Sequence, residues 1–176
     1  MKRVAIWIAA FTFIVATVWA EGEIPNGGFE GDAPNYFSSG GTSTTAVLSW
    51  ATDESRTGGH SLKIVKTAAD GNAYWESEDL YRYWSVYVGA NVGMEVGAWV
   101  KLDGANTSPA AEADKIQLIF NFYDAFGQNL LGAPLVLDVP QTTASTGWVE
   151  VKSTDPISIP IRADEITVKF LFNNSA

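Results

Sequence analysis

Residues 115–124 read Lys-Ile-Gln-Leu-Ile-Phe-Asn-Phe-Tyr-Asp, and their alternation decides the fold. In an extended chain Ile116, Leu118, Phe120 and Phe122 fall on one face, and Lys115, Gln117, Ile119, Asn121 and Tyr123 on the other. The first face suits a core. Period-two runs recur along the chain, and no sustained 3.6-residue period appears after residue 20. Strands are predicted near 24–30, 46–52, 60–67, 72–79, 81–88, 93–102, 115–124, 134–139, 147–153 and 164–173. Turn clusters separate them at Ser38-Ser39-Gly40-Gly41, Thr57-Gly58-Gly59, Asp70-Gly71-Asn72, Gly89-Ala90-Asn91 and Asp103-Gly104-Ala105-Asn106. Many short strands joined by regular turns describe an all-β protein, an antiparallel β-sandwich or jelly roll.

At the N-terminus Lys2 and Arg3 precede an uncharged apolar run from Val4 to Val18, followed by Trp19-Ala20 and then Glu21. This predicts a signal peptide over 1–20 and a single mature domain over 21–176, of a size that supports one core. The alternative is an uncleaved anchor, although the run is shorter than the ~20 residues needed to span a bilayer. The whole chain carries a formal charge of −9. Without Lys2 and Arg3 it has nine basic residues against twenty acidic ones. Such a chain is repelled by phosphate backbones and anionic lipid, which argues against nucleic acid and membrane surfaces as partners and leaves neutral sugars and cations. There is no cysteine, so neither disulfides nor thiolate chemistry are in play.

Several short motifs point further. They are Asn-Gly-Gly-Phe-Glu-Gly-Asp at 26–32, Gly-Gly-His-Ser-Leu-Lys-Ile at 58–64 and Asp-Gly-Asn-Ala-Tyr-Trp at 70–75, with Val-Gly-Ala-Trp-Val-Lys-Leu at 96–102 and Gly-Trp-Val-Glu-Val at 147–151. Together they resemble the carbohydrate-binding modules of families 4, 9, 16 and 22, secreted jelly rolls often attached to polysaccharide-degrading enzymes. The resemblance implies that Trp75 projects into a sugar cleft with Glu76 and Glu78 nearby, and that the tryptophan of the 147–151 motif, Trp148, packs against the fold. It also implies a structural calcium at a strand edge, with Glu30 as the carboxylate and Gly28 and His60 as carbonyl donors. Hard oxygen ligands suit that ion. Finally, it calls for one more strand after the apolar run Ile166, Val168, Phe170 and Phe172, so the chain is expected to lack its closing C-terminal strand.

The residues themselves offer a binding surface. Gln117, Asn121 and Tyr123 share a face, and amides bridge sugar hydroxyls while an aromatic ring packs on the apolar side of a pyranose. A solvated outer face is the alternative. Trp99, between charged neighbours, is either a rim residue or a stacking platform. His60 is the only histidine, which excludes multi-histidine metal sites and makes any Ser/His/Asp arrangement depend on one turn residue. Carboxylate pairs for glycoside hydrolysis can be drawn from Glu76, Glu78, Asp79 and Glu95, but sequence does not give their spacing. The function expected is non-catalytic polysaccharide or oligosaccharide binding by a secreted or cell-surface monomeric module. A structural or adhesion domain without a sugar cleft is the alternative, with a jelly-roll glycosidase or polysaccharide lyase behind it.

Overall fold

The computed structural model describes residues 28–31, 36–68, 70–90, 93–102, 115–139 and 147–173. The signal predicted over 1–20 and the turn cluster predicted at 103–106 lie outside the described residues. Among the described residues the strands and the helical turn are β1 (Phe37–Gly41), β2 (Val47–Ala51), β3 (Ser61–Val65), β4 (Asn72–Ser77), α1 (Tyr81–Trp84), β5 (Gly97–Val100), β6 (Ile116–Tyr123), β7 (Leu135–Asp138), β8 (Val149–Lys152) and β9 (Glu165–Asn173). They form an antiparallel five-stranded sheet in the order β1-β4-β9-β6-β7, with β2–β3 and β5–β8 as two-stranded sheets.

The alternation in β6 sets the layering. Leu118, Phe120 and Phe122 are buried with Ile166 and Val168 of β9, and onto them pack Leu80, Trp84, Met94 and Val96. A second cluster joins Val100 of β5 and Val151 of β8 to Ile116 and Val139. The two clusters place the β5–β8 sheet against the inner face of the large sheet, which makes a sandwich. The apolar strand β9 pairs with β4 on one side and β6 on the other, so the edges of the large sheet fall at β1 and β7.

Three sequence expectations differ from the structure. The segment predicted as a strand at 81–88 is α1 followed by a 3-10 turn, Ser85–Tyr87. Leu80 and Trp84 bury almost completely at 0% and 2% exposure, and their spacing of four is that of one helical face. Asp79 Oδ1 accepts from Tyr81 N at 2.8 Å and Ile166 N at 2.9 Å, which fastens the helical turn to β9. Secondly, residues 28–30, the described part of the first expected strand at 24–30, are not a strand. Thirdly, Ser38-Ser39-Gly40-Gly41, expected as a turn, belongs to β1 and pairs in register with β4. The Tyr74 ring lies across Gly40, where an added Cβ would come within 2.6 Å of the phenol. Cross-strand packing therefore overrides the poor strand propensity of Ser and Gly.

Because Phe120 is 1% exposed between the sheets, Phe120→Ala is expected to cost ~3–5 kcal/mol through the cavity it leaves. Urea unfolding of the variant against wild type measures it, and a loss below ~1 kcal/mol would contradict this placement of β6.

Candidate functional site

Antiparallel register carries one row of side chains to the outer side of the large sheet, away from the core. Tyr74 stands opposite Gly40 and Leu171, Glu76 opposite Ser38 and Lys169, Gln117 opposite Leu171 and Asp138, and Asn121 opposite Thr167. Neighbours on this face are tied together. Lys169 Nζ lies 3.2 Å from Glu76 Oε1 and 4.5 Å from the centre of the Tyr74 ring. Gln117 Nε2 donates to Asp138 Oδ1 at 3.0 Å, and Lys115 Nζ to Asp138 Oδ2 at 2.7 Å. Burial pushes the Asp138 carboxyl up, but the hydrogen bonds from Lys115 and Gln117 outweigh it and hold the group below its ordinary range. Asn121 Nδ2 donates to Thr167 Oγ1 at 3.3 Å, and both residues are buried.

Past the end of β4, Glu78 Oε1 accepts from Arg82 Nη2 at 2.6 Å. The guanidinium also meets the Tyr83 hydroxyl and sits 4.5 Å from the Tyr83 ring centre and 6.0 Å from that of Tyr36. Tyr36 is held at φ 71° and its carbonyl accepts from Glu78 N at 2.7 Å. The face thus combines phenol rings, amides, carboxylates and ammonium groups in fixed pairs, and such a surface can both stack on an apolar ring face and exchange hydrogen bonds with hydroxyls.

Of the six residues expected to contact sugar, Glu76, Gln117, Asn121 and Tyr123 share this face. Trp75 does not. It is 5% exposed, stands opposite Phe170 on the inner side, and its Nε1 donates to Lys63 O at 3.3 Å. Successive strand residues point to opposite faces, so Trp75 and Glu76 cannot both line one site, and the outward ring is Tyr74. Trp75 instead ties the β2–β3 hairpin to the large sheet. Trp99 is 38% exposed on the solvent side of the β5–β8 sheet, with the Arg56 guanidinium 3.7 Å from its ring centre. The thickness of the sandwich, ~10 Å between sheets, separates it from Gln117. Trp148 is half-buried. Tyr36, Tyr74, Arg82, Thr167, Lys169 and Asp138 were not singled out by sequence reasoning as members of the face. Tyr74 was within reach of the alternation argument; the others depend on strand neighbours distant in sequence.

The carboxylates considered for hydrolysis are engaged singly: Glu76 by Lys169, Glu78 by Arg82, Asp79 by two backbone amides, and Glu95 by Lys152 at 3.6 Å.

The residues expected to hold calcium make a different arrangement. Gly59 N donates to Glu30 Oε1 at 3.0 Å and Oε2 at 2.9 Å, His60 N to Oε1 at 3.1 Å, and His60 Nδ1 lies 3.2 Å from Oε2. The His60 ring stacks on Trp50 at 3.9 Å, and Trp50 Nε1 donates to Phe29 O at 2.7 Å. Gly58, at φ 71°, leaves the space this carboxylate fills, since a Cβ there would lie 2.3 Å from Glu30 Oε1. In this arrangement the Glu30 carboxylate is taken up by N–H donors, whereas calcium draws on a shell of oxygen acceptors. Among the described residues no group of three or more His, Cys, Asp or Glu side chains is placed to hold a metal. Glu30 works as a latch that fastens residues 28–31 to the β2–β3 connection.

No family model matches the chain. No curated protein matches it. Among solved structures it is similar to the enzymatically active domain of bacteriophage CBA120 tailspike protein 4, with a TM-score of 0.56 and 13% identity over 87% of this chain. The chain spans only 20% of that tailspike chain. It is also similar to the CBM22-1 xylan-binding domain from Paenibacillus barcinonensis, with a TM-score of 0.49 and 13% identity over 84% of this chain and 81% of that one. A third similar structure is the CBM22-1–GH10 portion of a Clostridium thermocellum endo-1,4-beta-D-xylanase complexed with xylohexaose, with a TM-score of 0.49 and 16% identity over 84% of this chain and 25% of that one. At such identities the likeness to the tailspike domain is one of fold, in agreement with the sandwich described above.

The Glu30 latch makes a pH prediction. Hydrogen bonds from Gly59 N and from the His60 side chain hold the Glu30 carboxyl below its ordinary value of 4.5 against the opposing effect of desolvation. A group depressed on folding stabilises above the unfolded value and loses that contribution as pH falls through the folded one. Glu30→Gln is therefore expected to melt below wild type at neutral pH, with the gap closing as the pH drops beneath 4.5. Thermal melts across the acid range check this, and a gap that stays constant would contradict the latch.

Proposed function

We propose that this protein binds a polysaccharide or oligosaccharide, without cleaving it, on the solvent face of its five-stranded sheet. The observation that carries the reading is that Tyr74, Glu76, Gln117 and Tyr123 share one face, on which Glu76 is held by Lys169 and Gln117 by Asp138. A sugar ring stacks its apolar side on a phenol ring while its hydroxyls exchange hydrogen bonds with the amides and carboxylates. The Gln117 amide is already oriented by Asp138, whereas the buried Asn121 amide, bonded to Thr167, supports the face from beneath. That orientation lowers the ordering cost of binding. The expected strength is ~4–8 kcal/mol, a millimolar to micromolar dissociation constant.

The pairing of Glu76 with Lys169 and of Glu78 with Arg82 supports a reading of binding without catalysis. The Lys2-Arg3 start and the apolar run to Val18 support export with removal of residues 1–20, and hence action outside the cytoplasm or at the cell surface. The strongly acidic chain supports a neutral glycan over an anionic one.

A glycan array that includes xylan, the ligand named for one of the similar structures, tests the proposal. A protein that binds none of the glycans would overturn it in favour of a structural or adhesion role. Where binding is found, isothermal titration should show Tyr123→Ala weakening it by ~0.5–1.5 kcal/mol or more and Gln117→Ala by ~0.5–1.5 kcal/mol. Trp99→Ala should leave affinity unchanged, while Trp75→Ala should destabilise the fold by ~3–5 kcal/mol. Loss of affinity in a stably folded Trp99 variant would move the site to the opposite sheet.

A further inference from the structure

We infer that Phe126 is a stacking platform at the end of the solvent face, placed to take one more sugar ring of a glycan that runs along β6 past Tyr123. This rests on the reading of that face as a glycan site. Phe126 is 88% exposed, more than any other large apolar side chain among the described residues. The connection that carries it is nevertheless firmly built. Tyr123 bridges to Asn129, Asp124 N donates to Gln128 O at 3.0 Å, and Gly127 N donates to Asp124 O at 2.8 Å. Asp124 Oδ1 accepts from Phe126 N at 2.9 Å and from Gln128 N at 3.0 Å. The other oxygen of this carboxylate, on a side chain only 8% exposed, lies 3.5 Å from Arg162 Nη2. Gly127 closes the turn at φ 74°.

The tip is thus held by six main-chain and side-chain contacts, none of which uses the phenyl ring. A turn of this kind needs Asp and Gly, and has no requirement for an aromatic residue. The ring gains little from burial where it stands, so its apolar surface is available to a ligand. Its backbone lies close to the proposed site. Gln117, Asn121 and Tyr123 run along the outward side of β6, and Phe126 follows three residues on, its Cα at most ~10 Å beyond that of Tyr123. A flat ring on a stiff tip stacks on the apolar side of a pyranose with little loss of conformational entropy.

The test is isothermal titration of wild type and Phe126→Ala with xylo- and cello-oligosaccharides from di- to hexasaccharide. The expected result is that wild type gains affinity with length, that Phe126→Ala loses about tenfold for the hexasaccharide and nothing for the shortest ligand bound, and that Phe126→Trp restores the loss. Melting of Phe126→Ala should match wild type. Equal affinities at every length would overturn the inference while leaving the glycan face intact. A Phe126→Ala protein altered in self-association by sedimentation, with unchanged affinity, would overturn it in favour of a protein contact. Wild type that binds no member of either series, and no glycan on the array, would overturn the reading of the face and this inference with it.

Discussion

The pairing of β9 between β4 and β6 is the constraint on which the rest of the structure depends. Its register sets Trp75, Phe170 and Leu118 side by side on the inner surface, and the same alternation then turns Tyr74, Leu171 and Gln117 outward. A slip of one residue would exchange the two sets. Core and candidate site are therefore two consequences of one register. The burial of Leu118, Phe120, Ile166 and Val168 makes any other register costly, so the energy that forms the core also positions the polar face.

Without cysteines, the connections between strands are fastened by carboxylates. Asp70 accepts from Ser43 Oγ at 2.6 Å, Thr44 N at 2.8 Å and Thr45 N at 2.9 Å, and these bonds, the Ser43 hydroxyl first, hold its carboxyl far below the usual range. Asp79 joins the helical turn to β9, Asp124 holds the β6–β7 turn, and Glu30 gathers the amides of Gly59 and His60. Each is a charge-assisted hydrogen bond that satisfies backbone donors a loop would otherwise leave to water. Part of the acidity of the chain is thus structural, and it keeps the loops around the sheet in place.

The solvent face is held in a comparable way. Lys169 joins Glu76 to the Tyr74 ring, Asp138 gathers Lys115 and Gln117, and Thr167 orients Asn121. Exposed ion pairs of this kind add little to stability. Their effect is on the geometry of the face. A surface whose side chains already have partners keeps one arrangement, which is the property a weak and selective sugar contact requires.

Period-two alternation was sufficient to establish an all-β sandwich, eight of its strands, and the inward direction of Leu118, Phe120 and Phe122, because alternation is a local property of an extended chain. It also placed Gln117, Asn121 and Tyr123 together for the same reason. What it did not contain was the partner of each strand. β1 has the composition of a turn and becomes a strand only because β4 and the Tyr74 ring accept it. The 81–88 segment has the aromatic density of a strand, yet Leu80 and Trp84 gain more by entering the core from one helical face. Trp75 looked like an exposed ring beside Glu76 until its register with Phe170 turned it inward, and the hydrogen bonds that Glu30 accepts from Gly59 and His60 join residues some thirty positions apart. Direction along a strand is set by nearest neighbours in the chain, whereas the role of a side chain on a face is set by residues far away in sequence, and only the tertiary structure brings those together.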